Sequence, residues 1–345
     1  MTARTPSSLP TDEQRRVTSL VTRWYLALYH DTPQDPGVGR MFTAPAAVGA
    51  FAVSAAALAA GEPAALFRVL VATVMFQRRQ DQQILRVLRG ISAEDADELS
   101  SPRALLGLAD ACACERGTSL EALLRGCDLH KDAAGQGACA AASDVACALK
   151  RHAVLLKRYG HFGKVPTGLA LVLREHGVAD LAELRRWALS EAESPADASA
   201  RLEGALRRAW RVSDKIAAMY LSMLANPDLC PGLAPWAEGL EHARWVVVDS
   251  NVDLFLASIG YSGTGTYAAR AAFVRELASG VDLAEVKPSL QSYNPRVIQQ
   301  AMYLFMSVTN RRVLSQDCSR VEGACVRCPE ELATRCGLRG APATV

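Results

Sequence analysis

The amino-acid sequence predicts an all-α protein. Half of its residues are apolar and only 6% are aromatic, and Ala and Leu, which favour helices, make up much of the apolar set. Apolar side chains recur at three- and four-residue steps, as at Leu66, Val69 and Leu70. The single strand-like patch is the short run Trp245–Val248. We therefore expect helices to form nearly all of the regular structure.

The first elements can be placed from local sequence features. Thr11 is followed by Asp12 and Glu13, which is the pattern of an N-cap with an acidic first turn, and a helix is predicted from there. Residues 31–40 are rich in Pro and Gly and form a connector. The uncharged stretch Ala46–Ala60 is too short to span a membrane, and its composition predicts a buried helix.

The central part of the chain carries the strongest helical periodicity. A helical block begins at Pro63, and residues 100–148 form shorter helical pieces that Gly and Ser interrupt. Long helical patterns then resume at Leu169–Glu175, Leu181–Leu189, Ala198–Trp210 and Lys215–Leu224.

Charge and cysteine usage limit the partners and the compartment. The formal net charge of +2 is too small to indicate a nucleic-acid binder, so such a function would have to rest on a local basic patch. The polar N-terminus lacks the apolar core of a signal peptide, and ten cysteines without that signal indicate a reducing cytoplasm. We expect a cytoplasmic monomer with no membrane partner.

Four cysteines near the C-terminus are the strongest indication of a cofactor. They are separated by six, two and seven residues: Cys318, Cys325, Cys328 and Cys336. Four thiolates this close together can enclose one metal centre, and the lack of a neighbouring histidine leaves structural zinc or an iron–sulfur cluster. Merely buried or reactive thiols are the alternative. A disulfide framework is disfavoured because nothing else in the sequence indicates secretion.

A second set of cysteines lies in the interrupted helical region. Its candidate metal ligands are Cys112, Cys114, Cys127, His130 and Cys139. The gaps between them are wide and irregular, so we interpret these cysteines as small buried side chains of an Ala-rich region rather than as a second metal site.

The C-terminal cysteine loop and its helical context resemble the DNA glycosylases of the endonuclease III, or helix-hairpin-helix, superfamily. Members commonly carry a four-cysteine [4Fe-4S] loop after the last helix, although the last gap here is longer than in the family. Two more segments agree. Leu66–Leu88 is similar to the family's early helix with its Gln-rich turn followed by Asp, and Val246–Tyr261 is similar to its Val-Asp-Thr-His-Val element. The second match places Asp249 at the position of the family's catalytic aspartate.

The hairpin segment Ala209–Ala217 departs from the family pattern. Lys215 falls at the lysine position of the bifunctional enzymes, but both glycines that let backbone N–H groups approach a DNA phosphate are missing. Side-chain contacts from Arg211 and Ser213 would take their place. Lys215 and Asp249 are 34 positions apart. This spacing and the glycine-poor hairpin are similar to the archaeal 8-oxoguanine glycosylases, which lack the cysteine loop.

The resemblance implies roles for these residues, each with a simpler alternative. Asp249 would stabilise the positive charge that develops on the sugar, or would only cap a helix. Lys215 would attack the sugar and permit strand cleavage, or would be a solvated lysine in a first helical turn. Four residues would fill the gap left by an extruded base, or would form a solvated helix end: Gln77, Arg78, Arg79 and Gln80.

Aromatic and basic residues complete the expected site. Trp210 and Trp245 would stack on the extruded base, with ordinary core packing as the alternative. The run Lys157–Lys164 mixes cations with aromatic residues, which suits contact with a DNA backbone, although such runs are also typical of a solvated surface. We expect double-stranded DNA as the partner.

The resulting hypothesis is a two-domain DNA glycosylase that excises a damaged or modified base. A helical barrel at 62–245 would end in the modified hairpin, and 1–61 with 246–345 would form the cluster domain, with the active site in a cleft between the domains. A [4Fe-4S] cluster, or zinc, would serve a structural or DNA-sensing role. The substrate would be 8-oxoguanine or, for phage defence, a glucosylated hydroxymethylcytosine. A non-catalytic iron–sulfur DNA-binding protein of the same fold is the alternative.

Overall fold

In the computed structural model the regular structure of the described part of the chain is helical, and no strand occurs there. This confirms the predicted all-α class. No helix in that part is long and apolar enough to cross a membrane. The described residues are 9–32, 38–111, 114–132, 136–141, 147–313 and 328–336.

The helices are numbered in chain order, and the shorter turns carry no number. The helices are α1 (Asp12–Leu28), α2 (Val38–Met41), α3 (Pro45–Val48), α4 (Ala55–Ala59), α5 (Pro63–Val74), α6 (Asp81–Arg89), α7 (Ala93–Leu99), α8 (Pro102–Asp110), α9 (Ala148–Leu155), α10 (Lys164–Glu175), α11 (Leu181–Ser190), α12 (Pro195–Arg207), α13 (Asp214–Ala225), α14 (Ser250–Ser258), α15 (Tyr267–Ala278), α16 (Leu283–Val286), α17 (Pro295–Met306), α18 (Val308–Val313) and α19 (Glu330–Ala333). The 3₁₀ turns are Gly49–Phe51, Glu115–Gly117, Gly160–Gly163 and His242–Arg244, and the π turn is Ala122–Gly126.

Side-chain caps determine where several helices begin. Thr11 caps α1 as predicted, because its Oγ1 accepts from the Gln14 backbone N–H at 3.3 Å while the Gln14 side chain accepts from the Thr11 N–H at 2.9 Å. This reciprocal pair is a capping box. Ser101 and Ser194 cap α8 and α12 with their side chains, each followed by a proline whose φ suits a first helical position. Short-range sequence features therefore set these boundaries.

The Ala-rich stretch Ala46–Ala60 is not the single buried helix that its composition predicts. It is divided into α3, a 3₁₀ turn and α4, and within α4 only Leu58 is buried. Gly49 ends α3 with a φ of +59°, and a Cβ at this position would lie 2.7 Å from the Cα of Arg89. The close approach of α6 leaves no room for a Cβ at position 49, and the positive φ of Gly49 interrupts the helix there.

Contacts divide the chain into two compact units. Unit 1 consists of Met1–Gly37, Asp228–Pro231 and Ala243–Val345. Unit 2 consists of Val38–Pro227 and Gly232–His242. The predicted limits of the folding domains, at residues 62 and 245, stay a prediction, and by their contacts the residues just before 62 belong to unit 2.

The core of unit 1 lies among α1, α14, α15 and α17. The buried face of α1 presents Val17, Val21 and Tyr25 at helical spacing. α17 packs against α1 and α14 and buries nearly all of its residues, including the charged Arg296. The strand-like run Trp245–Val248 is buried without forming a strand, and it is followed by Asp249 and α14. This packing positions the start of α14.

Unit 2 is built around α5, α10 and α13, whose residues are almost all buried. A helix that is apolar on nearly every side is typical of the centre of a helical bundle. α5 packs against both α10 and α13. The turn after α5, the segment between α9 and α10, and the turn before α13 thereby come together at one place on the unit.

Candidate functional site

Three turns of unit 2 are joined by hydrogen bonds from side chains to backbone carbonyls. Arg158, in the segment after α9, donates from Nη2 to the carbonyl oxygen of Gln77 at 2.6 Å. Gln77 donates from Nε2 to the carbonyl oxygen of Arg211 at 3.1 Å. Arg79 donates from Nη1 to the carbonyl oxygen of Lys157 at 2.9 Å. These bonds hold basic residues from distant parts of the sequence side by side.

The arginine cluster consists of Arg78, Arg79, Arg158 and Arg211. The ion pairs formed within the described part of the chain include none of these four side chains. Arg158 is only 2% exposed, and its guanidinium lies 4.3 Å from the centre of the Phe162 ring, with that of Arg211 at 5.6 Å from the same ring. An aromatic face, rather than a carboxylate, thus supports two of the cations.

The pKa values reflect this excess of positive charge. Burial, followed by the other arginines of the cluster with Arg79 first, lowers the pKa of Arg158 to about 10. Burial and then the nearby cations, Arg211 first, lower the pKa of His161 to about 4. Because His161 is neutral at physiological pH, its Nε2 can accept the hydrogen bond that Arg211 Nη2 donates at 2.9 Å. Both shifts have the sign expected where cations are gathered without counter-charge.

Some N–H donors of the cluster are buried and have no hydrogen-bond partner among the described residues. They are Nε and Nη1 of Arg158 and Nε of Arg211. A buried donor that stays unpaired costs about 1–3 kcal/mol. Guanidinium donors also match the oxygens of carboxylates and phosphates in geometry and charge. The cluster therefore has the chemistry of an anion-binding surface.

The cluster also contains an unusual backbone geometry. φ is +54° at Arg78 and +67° at Arg211, and the adjoining Lys157 has a φ of +46°. A left-handed conformation costs a residue with a side chain about 1–2 kcal/mol, and such strain is found mainly at functional sites. Arg211 lies in the turn where the family resemblance leads us to expect glycine. The turn thus keeps a glycine-like backbone while it adds a guanidinium.

The helices on either side of that turn, α12 and α13, pack against each other. Ser213 is an exposed N-cap of α13 whose side chain makes no capping hydrogen bond. Lys215, in the first turn of α13, is half-buried, and its Nζ donates to the carbonyl oxygen of Phe76 at 3.4 Å. Asp214 forms an ion pair with Arg207 at 2.8 Å. Lys215 therefore lies next to the end of α5, beside the arginine cluster.

Exposure separates the residues of the turn after α5. Gln77 is half-buried and bonded to Arg211, whereas Arg78, Arg79 and Gln80 are exposed. Gln80 begins α6 without a side-chain capping hydrogen bond. The exposed side chains of this turn therefore do not cap a helix, and they lie near the buried guanidinium of Arg158.

The basic run Lys157–Lys164 is not the solvated surface that was one interpretation of its sequence. Arg158 is buried, and Lys164 is also buried at the start of α10, where its Nζ donates to the carbonyl oxygen of Cys127. The Lys164 ammonium group lies 4.6 Å from the centre of the Trp210 ring. Cations of this run are thus built into the packing of unit 2.

Asp249 is the N-cap of α14 in unit 1. Its Oδ1 accepts hydrogen bonds from the backbone N–H groups of Asn251 at 3.0 Å and Val252 at 2.9 Å, and the side chain is half-buried. The preceding segment is held by Tyr267, whose hydroxyl donates to the carbonyl oxygen of Val246 at 2.8 Å. This is the geometry of a helix cap, the simpler of the two interpretations of Asp249. It also fixes the carboxylate at the positive end of a helix dipole.

The two candidate stacking residues have different surroundings. Trp245 is 1% exposed, which is the geometry of core packing in unit 1. Trp210 is half-buried in unit 2, and the Arg211 guanidinium lies 5.6 Å from its ring centre. Only Trp210 therefore belongs to the arginine cluster's surroundings.

The C-terminal cysteines are described in part. Cys318 and Cys325 lie outside the described residues. Cys328 and Cys336, on either side of α19, are half-buried and pack against the core of unit 1. The buried Arg311 donates from Nη1 to the Cys336 sulfur at 3.4 Å and to a backbone carbonyl at 3.0 Å. Among the described residues, no three Cys, His, Asp or Glu side chains are grouped to hold a metal ion.

Part of the predicted site comes together within unit 2. Unit 2 gathers Gln77 to Gln80, Trp210, Arg211 and Lys215, while Asp249 and Trp245 are residues of unit 1. Sequence patterns missed two features, the aromatic support by Phe162 and the left-handed backbone at two arginines. A glycine would have marked such a turn, but an arginine carries no sequence signal for it.

Comparison with known proteins adds no relative from which a function can be transferred. No protein-family model, no curated protein and no solved structure matches this chain. The chemistry of the site must therefore be inferred from its own residues.

Proposed function

We propose that this protein is a DNA glycosylase that binds duplex DNA through the arginine cluster and excises a base with the help of Asp249. The observation that carries the proposal is the gathering of four arginines, with unpaired buried donors, that form no ion pair within the described part of the chain. The proposed activity comes from the order, along the sequence, of the segments that resemble the helix-hairpin-helix glycosylases. The cluster is the substrate-binding part of the proposal, and Asp249 is its catalytic part.

DNA phosphates are the anions that fit this surface. Duplex DNA presents closely spaced phosphates, and arginine is a preferred partner of phosphate oxygens because its donors form a planar fork. Arg78 and Arg79 are exposed, and Arg211 adjoins them through Gln77. Binding of phosphate to the exposed Arg78 and Arg79 would relieve the repulsion among the cations. The proposal therefore explains why no carboxylate of the described residues pairs with them.

Base excision requires that the base leave the helix. Extrusion costs a few kcal/mol of stacking and pairing, which inserted side chains offset by filling the gap. The turn after α5 offers Arg78, with its strained backbone, and Gln80, whose side chain makes no capping bond to α6. We assign the gap-filling role to this turn. Trp210, half-buried beside Arg211, is the aromatic residue assigned to contact the extruded base.

Asp249 is assigned the chemical step. Positive charge develops on the sugar as the base departs, and a carboxylate below the ring stabilises that charge and helps to orient the nucleophile. The two backbone hydrogen bonds to Oδ1 hold the side chain in one orientation. Lys215 is assigned the Schiff-base step of strand cleavage, which requires its neutral amine.

The C-terminal cysteines are proposed to hold a [4Fe-4S] cluster, with zinc as the alternative. Cys328 and Cys336 fit this role because both are half-buried and because the Arg311 guanidinium donates to the Cys336 sulfur, which stabilises an anionic ligand. The bound group would cross-link positions within the C-terminal segment of unit 1. Zinc and no iron in an anaerobic preparation would assign the alternative.

The proposed substrate is a damaged or modified base. The glycine-poor hairpin suggests 8-oxoguanine, through its similarity to the archaeal enzymes. The long segment between α13 and α14 suggests a bulkier base such as glucosylated hydroxymethylcytosine, with a role in phage defence. A panel of DNAs distinguishes the two.

The test is mass spectrometry of bases released from undamaged, oxidised, deaminated, alkylated and phage-type glucosylated DNA. Wild type is expected to release one of these bases. Asp249→Asn is expected to slow release roughly 10²- to 10⁴-fold, while Asn still caps α14. The matched control is Asp253→Asn in the same helix, because Asp253 pairs with Arg270 and is expected to leave release unchanged.

A second function, DNA binding without catalysis, is favoured by one observation. Asp249 already has a structural task as the cap of α14. Binding that is measurable by fluorescence anisotropy, together with no base released from any DNA, would establish this alternative. If the protein neither binds DNA nor releases a base, both functions are excluded.

A further inference from the structure

Tyr159 places an exposed aromatic ring at the edge of the arginine cluster. It directly follows the buried Arg158 and is 36% exposed. On the other side of Arg158, the carbonyl oxygen of Lys157 accepts from Arg79 at 2.9 Å, so the segment that carries the ring is joined to the cluster. A single exposed aromatic residue is ordinary on a protein surface. Only the surroundings of this ring can therefore indicate a binding role.

The Tyr159 ring is accompanied by cations. The ammonium group of Lys131 lies over the ring, 4.2 Å from its centre. Lys131 is exposed, as are Lys157 and Arg79 nearby. None of these three side chains forms an ion pair with another described residue. The positive surface of the arginine cluster therefore continues to an aromatic ring that solvent can reach.

Tyr159 is also the outer member of a row of three rings. Its centre lies 5.9 Å from that of His161, with 34° between the planes, and the His161 ring lies 6.3 Å from that of Trp210. Trp210 is half-buried, whereas Tyr159 is exposed. The row thus leads from the surface to the residue that is assigned to the extruded base.

A close backbone contact holds the segment that carries Lys131 against the segment that carries Tyr159. A Cβ at Gly160, which directly follows Tyr159, would lie 2.6 Å from the carbonyl oxygen of His130 and 2.6 Å from the backbone nitrogen of Gly137. Both glycines are needed at this contact, because Gly137 also has a φ of +84°. Since Lys131 directly follows His130, this packing brings its ammonium group over the ring.

The other side of the Lys131 segment is held by Asp128. Its carboxylate accepts from the Arg116 guanidinium at 2.9 Å and from the Ala140 backbone N–H at 3.0 Å. Asp128 and Arg116 line a pocket of unit 2 together with four half-buried cysteines, which are Cys114, Cys127, Cys139 and Cys147. The interpretation of this region's cysteines as buried side chains is therefore wrong for those that the structure describes.

We propose that Tyr159 and Lys131 bind an unpaired nucleotide of DNA, outside the duplex that the arginine cluster contacts. Sites for single-stranded nucleic acid combine aromatic side chains, on which bases stack, with cations that contact the phosphates. A base would stack on the Tyr159 ring in the place that the Lys131 ammonium group occupies. Lys131 would turn to the phosphate of that nucleotide, which its flexible stem and its exposure permit.

This inference rests on the proposed function, because it extends the same DNA-binding surface, and it adds a substrate class. The DNA that fits the whole surface has a single-stranded stretch next to a duplex. Stacking on a tyrosine accepts any base, since every base has a π face. The contact is therefore expected to be independent of sequence.

The experiment measures binding of the full-length protein to oligothymidylate, to a blunt duplex and to a duplex with a single-stranded gap by fluorescence anisotropy. Wild type is expected to bind oligothymidylate, and to bind the gapped duplex more tightly than the blunt one. Tyr159→Ala is expected to weaken binding to oligothymidylate about fivefold or more, whereas Tyr159→Phe keeps the ring and is expected to keep the affinity. Both variants are expected to bind the blunt duplex like wild type.

The lysine is tested by its charge. Lys131→Gln is expected to reduce the slope of log K against log salt for oligothymidylate by about 0.7, because one phosphate contact with a single strand is lost. The matched control is Lys150→Gln, which removes the same charge elsewhere in unit 2 and is expected to keep the wild-type slope. Equal slopes in the two variants would contradict the role of Lys131.

Photo-cross-linking of the wild-type protein keeps the proposal testable if a variant does not fold. An oligonucleotide that contains 5-iododeoxyuridine is expected to cross-link to the peptide that carries Tyr159. A cross-link found only on other peptides would overturn the proposal. So would a loss of affinity in Tyr159→Ala that is equal for the blunt duplex and for oligothymidylate.

The outcomes separate this inference from the proposed function. A protein that binds the blunt duplex but not oligothymidylate contradicts the inference and leaves the glycosylase proposal standing. A protein that binds oligothymidylate through Tyr159 but releases no base from any DNA supports the inference and contradicts only the catalytic part of the proposed function. A protein that binds none of the three DNAs contradicts both.

Discussion

Arg151 and Arg158 lie seven positions apart in unit 2 and have opposite surroundings. Arg151 forms ion pairs with Asp95 at 2.7 Å and with Glu98. Arg158 is buried over the Phe162 ring and donates to the carbonyl oxygen of Gln77. The first arginine is neutralised by the protein's own carboxylates, whereas the second adds to a positive field.

The same contrast extends to other arginines of unit 2. Further ion pairs connect arginines to carboxylates of the same unit, among them Arg116 with Asp128, Arg174 with Asp110, Arg207 with Asp214, and Arg208 with Glu175. Carboxylates are thus available throughout the unit. Arg86 and Arg103 of the same unit also form no ion pair within the described residues. What distinguishes the arginine cluster is that four such arginines lie close together, one of them buried, and this concentration of positive charge favours an external anion as its partner.

The largest effect is expected when exposed cations of the cluster are removed. Arg78→Gln/Arg79→Gln is expected to weaken binding to duplex DNA about tenfold or more. It is also expected to reduce the slope of log K against log salt by about 2, because binding through fewer phosphate contacts releases fewer counterions. Fluorescence anisotropy over a salt series measures both. Arg151→Gln is the matched control, and an equal loss of DNA binding in that variant would remove the distinction between paired and unpaired arginines.

A pair of substitutions at Arg211 separates its charge from its backbone. Both Arg211→Ala and Arg211→Gly remove the guanidinium and are expected to weaken DNA binding equally. Glycine accepts a φ of +67° without strain, so the glycine variant is expected to be about 1 kcal/mol more stable than the alanine variant. Denaturant unfolding measures the stability difference. Unchanged DNA binding in both variants would show that the Arg211 side chain serves the fold alone.

Asp249 in unit 1 permits a similar separation of cap and charge. Asp249→Ala removes the acceptor of two backbone N–H groups and is expected to lower the free energy of unfolding by about 1 kcal/mol. Asp249→Asn keeps an acceptor and is expected to stay within a few tenths of a kcal/mol of wild type. Thermal or denaturant unfolding checks both. If the two variants are equally destabilised, the loss of activity in the asparagine variant no longer reports on chemistry.

The smallest effect concerns the pH dependence of stability. The pKa of His161 is lowered from 6.5 to about 4 by burial and by Arg211, Lys164, Arg158 and Arg78, so between these pH values the unfolded chain binds more protons than the folded one. Stability is therefore expected to fall as the pH decreases from about 6.5 to about 4, and not to rise. His161→Gln is expected to flatten this part of the curve, measured by denaturant unfolding at several pH values.

The control for that measurement is His130→Gln, since His130 is exposed and its replacement is expected to keep the wild-type slope. A slope that His161→Gln leaves unchanged would mean that His161 does not titrate against the cations of the arginine cluster.

Much of the fold could be predicted because its causes are local. The Thr11 cap depends on residues three positions apart, and the long helices follow from apolar spacing along one segment. The structure of the Ala46–Ala60 stretch could not be predicted, since the helix is interrupted at Gly49, where the backbone of Arg89 packs too closely for a side chain. The candidate site divides in the same way. Asp249 as a cap follows from the sequence at the start of α14, whereas Gln77, the hydrogen-bond partner of Arg158, comes from a distant segment.

The sequence by itself determined the all-α class, the helix starts and the identity of the cationic and thiol side chains, because each of these depends on composition or on neighbours within a few positions. Only the tertiary structure decided that Arg158 is buried among other cations instead of being a solvated charge. It also decided that four cysteines with irregular spacing line one pocket. Both outcomes depend on how helices distant in sequence pack together, since the field at a charge and the neighbours of a thiol are set by distances in space.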